Sequence, residues 1–179
     1  MNDDKSVNDD LKVLGVAVKY TARLLKPFVE EDKNLHARVA AIQTREDEQA
    51  WFPISLLQDL FELAIEKGVF EQLAKSTATN VIKAMAASPG VSSPIKALQT
   101  IAQTFPMQHK GDVGQILITP TGPNSAELVD KTYAPCGYVI GLAEMAVAGY
   151  GGTNISITHE PEHCRNHHNT KCVYQITWE

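Results

Sequence analysis

Three things are scarce in this chain, and each scarcity closes off a class of function. No run of 18 apolar residues occurs anywhere in its 179 residues, so no segment reads as a membrane-spanning helix. Basic residues are outnumbered, 16 Lys and Arg against 21 Asp and Glu, for a formal net charge of -5. A nucleic-acid binder needs a basic footprint to neutralise phosphates, and none is visible, so no nucleic-acid partner is expected. Cysteine is limited to three residues. The opening MNDDKSVNDD has neither the basic nor the apolar part of a secretory signal, which leads to an expected cytoplasmic location. There thiols stay reduced, and cysteines serve as metal ligands or core residues more often than as disulfides. A phosphate-cradling glycine loop is also missing, since Gly149-Tyr150-Gly151-Gly152 is too bare to be one. With no acid/base pair evident, no catalytic residue is assigned and the chain is not expected to be an enzyme.

What is present is enough apolar content, 44%, for a real core. A helix is expected from Asp9 or Asp10 to Lys26, with Leu11, Leu14, Val18 and Leu25 on one face. Pro27 breaks it, and Glu30-Glu31-Asp32-Lys33 reads as a solvated linker. Helical patterns follow over Leu35–Glu48, from Pro53 to Gly68, from Val69 to Ala87 and from Ser93-Pro94 to Phe105. Beyond Pro106 the period changes. Gln115–Thr119 and Ala126–Thr132 read as strands around a Pro/Gly turn, Cys136–Tyr150 as a helix rich in small residues, and Thr153–His159 and Val173–Trp178 as strands. The expected class is α+β: N-terminal helices packed on a mostly antiparallel four-stranded sheet, with a strand-strand-helix-strand-strand C-terminal half. Residues 1–34 are expected to be a tail and helical arm, and residues 35–179 a single ligand-binding domain.

The chemistry concentrates between Tyr133 and Trp178, which hold all three cysteines (Cys136, Cys164, Cys172) and four of the six histidines (His159, His163, His167, His168). Cys164 and Cys172 bracket a polar loop in a C-x7-C spacing. If the flanking strands pair, their sulfurs face each other across the turn. Cys136 opens the small-residue helix, and a helix N-terminus favours the thiolate that a metal requires. A fourth ligand would come from Glu160, His159, Glu162 or His163. Three thiolates with one carboxylate or imidazole make a closed tetrahedral set suited to zinc. The competing reading is that three cysteines merely fill the core, and that His167 and His168 are solvated at a loop tip.

The segment ITHEPEHCRNHHNTKCVYQITWE resembles the C-terminal signature of 4-vinyl-reductase-like domains, and Cys136-Gly137-Tyr138-Val139-Ile140-Gly141 resembles their Gly-Tyr-x-x-Gly helix. Trp51-Phe52-Pro53 is similar to the Trp-Tyr-Pro of bacterial sensory proteins of haem-NO-binding-like fold. The resemblance runs from Trp51 to Trp178. It implies a sensory ligand-binding module holding structural zinc on a helix Cys, a Glu and the C-x7-C pair, which map here onto Cys136, Glu160, Cys164 and Cys172. The family's Glu stands three residues before the first Cys of the pair, where this chain has Pro161, flanked by Glu160 and Glu162.

The pocket for an apolar small molecule is expected between the helices and the sheet, with Trp51, Phe52, Phe61, Phe105, Met107, Tyr138 and Met145 as candidate walls. A signal would leave through a homodimer or a separate partner protein. Two alternatives stand beside this reading. One is a haem-based gas sensor with His109, then His36, as the axial candidate. The other is an enzyme related to tetrapyrrole vinyl reduction.

Overall fold

The computed structural model describes residues 10–43, 50–86, 90–165 and 169–179. The chain divides into two compact units. The first comprises Met1–Leu73 with Gln108–Asp112, and the second Ala74–Met107 with Val113–Glu179.

The first unit contains β1 (Lys12–Leu14), α1 (Gly15–Leu24), α2 (Lys26–Glu31), α3 (Lys33–Gln43), β2 (Trp51–Pro53), α4 (Ile54–Glu66), the start of α5 (Phe70–Ala86) and β3 (His109–Lys110). The short strands form an antiparallel sheet in the order β2-β1-β3, with Val13 opposite both Phe52 and His109. The expected long first helix is therefore shorter. Its first residues pair as a strand, and the helix starts at Gly15. Gly15 is needed there, because a Cβ would sit 2.6 Å from the Phe52 ring.

Pro27 falls in the first turn of α2, where its missing N–H costs nothing. The charge run Glu30–Lys33 is exposed as expected, but it is not a linker. Asp32 ends α2 and caps α3, its carboxylate accepting from the N–H groups of Asn34 and Leu35 at 3.0 Å. The arm assigned to residues 1–34 thus supplies a strand and two helices to this unit.

The second unit carries the later part of α5, then α6 (Pro94–Thr104), β4 (Ile116–Gly122), β5 (Ser125–Asp130), α7 (Cys136–Gly149), β6 (Ser156–His159) and β7 (Cys172–Thr177). All pairings in its four-stranded sheet are antiparallel, in the order β4-β5-β7-β6. The α+β class and the strand-strand-helix-strand-strand half are as the sequence reading has them. The helices on this sheet are α6 and α7. Their buried residues Leu98, Ile101, Val139, Leu142, Ala143 and Val147 share one core with Ile116, Ala126, Leu128, Tyr174 and Ile176. Small residues on α7 permit close approach: a Cβ on Gly141 would lie 3.2 Å from that of Ala74 on α5.

Register decides which strand residues face that core. Cys172, Tyr174 and Ile176 lie opposite Asp130, Leu128 and Ala126 on β5, while His159 and Ile157 on β6 lie opposite Tyr174 and Ile176. Side chains alternate along a strand, so this whole set shares the inner face.

Candidate metal centre

The inner face ends in a cluster of thiols. Cys136 is the first residue of α7, where Pro135 acts as N-cap. Cys172 begins β7, and Cys164 lies on the connection between β6 and β7. The three Sγ atoms stand 3.7 Å (Cys136 to Cys164), 3.6 Å (Cys136 to Cys172) and 3.9 Å (Cys164 to Cys172) apart. A disulfide would need about 2.05 Å, and none of the three cysteines is in one. Sulfurs on a tetrahedron with metal–sulfur bonds of about 2.3 Å are separated by about 3.8 Å. The triangle therefore has the edge length of a single tetrahedral ion.

A ring nitrogen of His159 lies within 4.8 Å of these sulfurs and completes a four-ligand group. Its ring is stacked on Tyr174 at 4.5 Å and faces the Cys172 thiol, and among the described residues its buried Nε2 has no partner at ordinary hydrogen-bond geometry. A buried polar atom left without a partner is costly, and an ion would satisfy it. Cys164 and Cys172 are buried, whereas Cys136 is half-exposed.

Glu160, assigned from the sequence, is not in this group. It follows His159 directly, so alternation turns it to the outer face. There its carboxylate accepts from Gln175 at 3.1 Å and pairs with His163 at 2.8 Å. Glu160, half-buried, forms a trio of its own with the exposed Glu162 and His163. The signal that identifies His159 was in the sequence as strand parity, but it becomes usable only once the β6–β7 register is known. His167 and His168 lie outside the described residues.

Electrostatics separate the thiols. Burial pushes the Cys172 thiol up, but the Arg165 backbone N–H, the His159 ring, the Arg165 side chain and Cys136 outweigh it and bring the value down to about 6. Burial pushes Cys136 up to about 12. A ready thiolate at Cys172 beside a neutral Cys136 is a starting state for metal capture, since binding deprotonates the remainder.

The expected pocket walls do not converge in one unit. Trp51, Phe52 and Phe61 belong to the first, where the Lys110 ammonium sits over the Trp51 ring at 4.2 Å and Phe61 meets Phe70 edge-on at 5.8 Å. Phe105, Tyr138 and Met145 are partly buried against the core of the second, and Met107 is 72% exposed. The apolar cleft among α6, α7, β4 and β5 is lined instead by residues such as Leu98, Ile101, Ile118 and Leu142. Its volume of about 10 Å³ admits about one water-sized guest.

Comparison with known proteins shows a shared fold. No protein-family model matches the chain, and no curated protein matches it in sequence. The resemblance to 4-vinyl-reductase-like domains therefore has no support from these comparisons. Solved structures do match. The unliganded Fe(II) H-NOX protein from K. algicida superposes with a TM-score of 0.63 at 14% identity, over 93% of this chain and 96% of that one. An H-NOX protein from S. oneidensis in the Fe(II)NO ligation state gives 0.60 at 13%, over 93% and 99%. A mutant of the T. tengcongensis H-NOX gives 0.64 at 15%, over 92% and 94%.

These neighbours raise the question of haem, which turns on where the described histidines stand. Helices α4 to α7 carry no histidine. His36 is exposed on α3, His163 is held by Glu160, His159 and all three cysteines belong to the thiol cluster, and His109 lies on a two-residue strand. What this chain shares with the H-NOX proteins is their fold.

Proposed function

We propose that the chain is a cytoplasmic sensory module of H-NOX-like fold whose second unit is clipped by a structural zinc ion on Cys136, His159, Cys164 and Cys172. The observation that carries the metal assignment is the sulfur triangle of 3.6 to 3.9 Å beside the unpartnered Nε2 of His159. Three thiolates and one imidazole form a closed set with no open coordination position, which suits stability rather than catalysis. When bound, zinc would supply a link between the start of α7, the start of β7 and the end of β6.

The sensory role is supported by the fold shared with H-NOX proteins. A small apolar guest entering the cleft among α6, α7 and the sheet would bias the packing of those helices, and a homodimer or separate partner would read the change. The neighbours also raise haem-based gas sensing, with His109 as the axial candidate. Among the described residues, the absence of histidine from α4 to α7 favours the zinc reading over it. No helix of the described residues is long and apolar enough to cross a membrane.

Native mass spectrometry of the protein as isolated tests both. The expected result is one zinc per chain and no haem, with no Soret absorbance. A haem adduct with a Soret band, or a chain free of metal after purification without chelators, would overturn the proposal.

A further inference from the structure

One residue touches all three cysteine-bearing segments, and it is not a ligand. Arg165 follows Cys164 directly. Its backbone N–H donates to Cys172 Sγ at 3.4 Å. Its guanidinium donates from Nη2 to Asp130 Oδ2 at 2.6 Å and to the Ala134 carbonyl at 2.7 Å, two residues before Cys136. Asp130 is fully buried and stands directly opposite Cys172 across the β5–β7 ladder. Its other oxygen accepts from the Thr132 N–H at 2.8 Å, and the Thr132 hydroxyl accepts from the Ala134 N–H at 3.2 Å. The stretch from Asp130 to Cys136 is thereby folded into consecutive side-chain-closed turns.

Resting on the zinc reading above, we infer that Arg165, held by Asp130, is the positioning residue of this centre: its guanidinium fixes the Cys164 loop against the strand end opposite Cys172 and the approach to Cys136. A buried ion pair is a poor device for stability alone, because its desolvation cost offsets its attraction. Its value here is geometric. The guanidinium ties the loop after β6 to the Asp130–Pro135 turn, so Cys164 and Cys136 are held close before any metal arrives. Partners of this kind commonly govern metal affinity by about 10–100-fold.

The test uses the full chain with zinc and cobalt(II) as probes. Arg165→Met keeps the stem but loses the donors. It should still bind one ion, with affinity lowered about 10–100-fold in chelator competition, and its cobalt–thiolate charge-transfer band should shift or weaken. The melting midpoint should fall more for the metal-loaded than for the metal-free protein. Arg165→Lys, which can still donate to Asp130 and Ala134, should recover most of the affinity. Asp130→Asn should weaken binding in the same direction as Arg165→Met, and the pair Arg165→Lys and Asp130→Asn decides the matter should Arg165→Met not fold.

Affinity within twofold of the unaltered protein with an unchanged cobalt spectrum would overturn the role, as would equal melting losses with and without metal. If the unaltered protein binds neither ion, the site itself fails and the role with it. If it binds and the variants bind equally well, the role alone fails.

Discussion

His159 and Glu160 are adjacent, and strand parity assigns them opposite roles. The prediction is that His159→Ala disables the metal centre while Glu160→Ala leaves it intact. The size of the effect follows from linkage. An ion that binds only the folded state stabilises it by about 4 kcal/mol when its free concentration is a thousand times its dissociation constant. For a chain of 179 residues, each kcal/mol shifts the melting midpoint by about 2–4 °C. Saturating zinc should therefore raise the midpoint by roughly 8–16 °C over the chelated protein. On the proposed zinc centre, His159→Ala would remove one of four ligands and expose the ion to solvent, so most of that rise should vanish at the same zinc concentration. Glu160→Ala loses its contacts to Gln175 and His163 on the outer face and should keep the full rise. Thermal melts by circular dichroism, with and without zinc, measure both. A zinc-dependent rise lost in Glu160→Ala but retained in His159→Ala would refute the parity argument. No difference between loaded and chelated protein would refute the site.

Other consequences can be checked independently. Cys172→Ser should release the metal and lower the melting midpoint to that of the chelated protein; unchanged zinc content would count against it. In the metal-free protein, ultraviolet titration of thiolate should show one group near pH 6 and Cys136 ionising only near about 12. The Cys172 value lies below its ordinary 9.0, so the folded state holds fewer protons than the unfolded between those limits. Stability from this group should rise with pH from about 6 to 9 and be lost as pH falls back through that window. A flat profile there would contradict the assignment. Gly114→Ala should destabilise the protein by about 1–3 kcal/mol in a denaturant titration, because Gly114 has φ +77 and a Cβ would collide with the Lys131 carbonyl. An unchanged midpoint would show that the turn relaxes freely.

Much of the second unit was legible because its signals are local. Pro94 opens α6 beside the capping Ser93, and the alternation of Val173–Trp178 marks β7. The C-x7-C spacing brings Cys164 and Cys172 together because the strands on either side do pair. The N-terminal part was harder to read. Lys12–Leu14 extends a helical apolar pattern, yet pairing with Trp51–Pro53 and His109–Lys110 makes it a strand. Such long-range pairing leaves no local mark. The same limit left His159 as one of four candidates for the fourth ligand, since choosing among them needs a register, and hid Arg165, whose Asp130 partner is 35 residues away in sequence. The pocket walls were chosen by residue type alone, and aromatic side chains at helical spacing are equally at home in a core, where Phe61 lies.

X-ray absorption at the zinc edge of the protein as purified tests the central claim most directly. The account predicts a first shell of three sulfurs at about 2.3 Å and one nitrogen at about 2.0–2.1 Å, with the nitrogen contribution lost in His159→Ala. A shell built from oxygen and nitrogen neighbours without sulfur would contradict it.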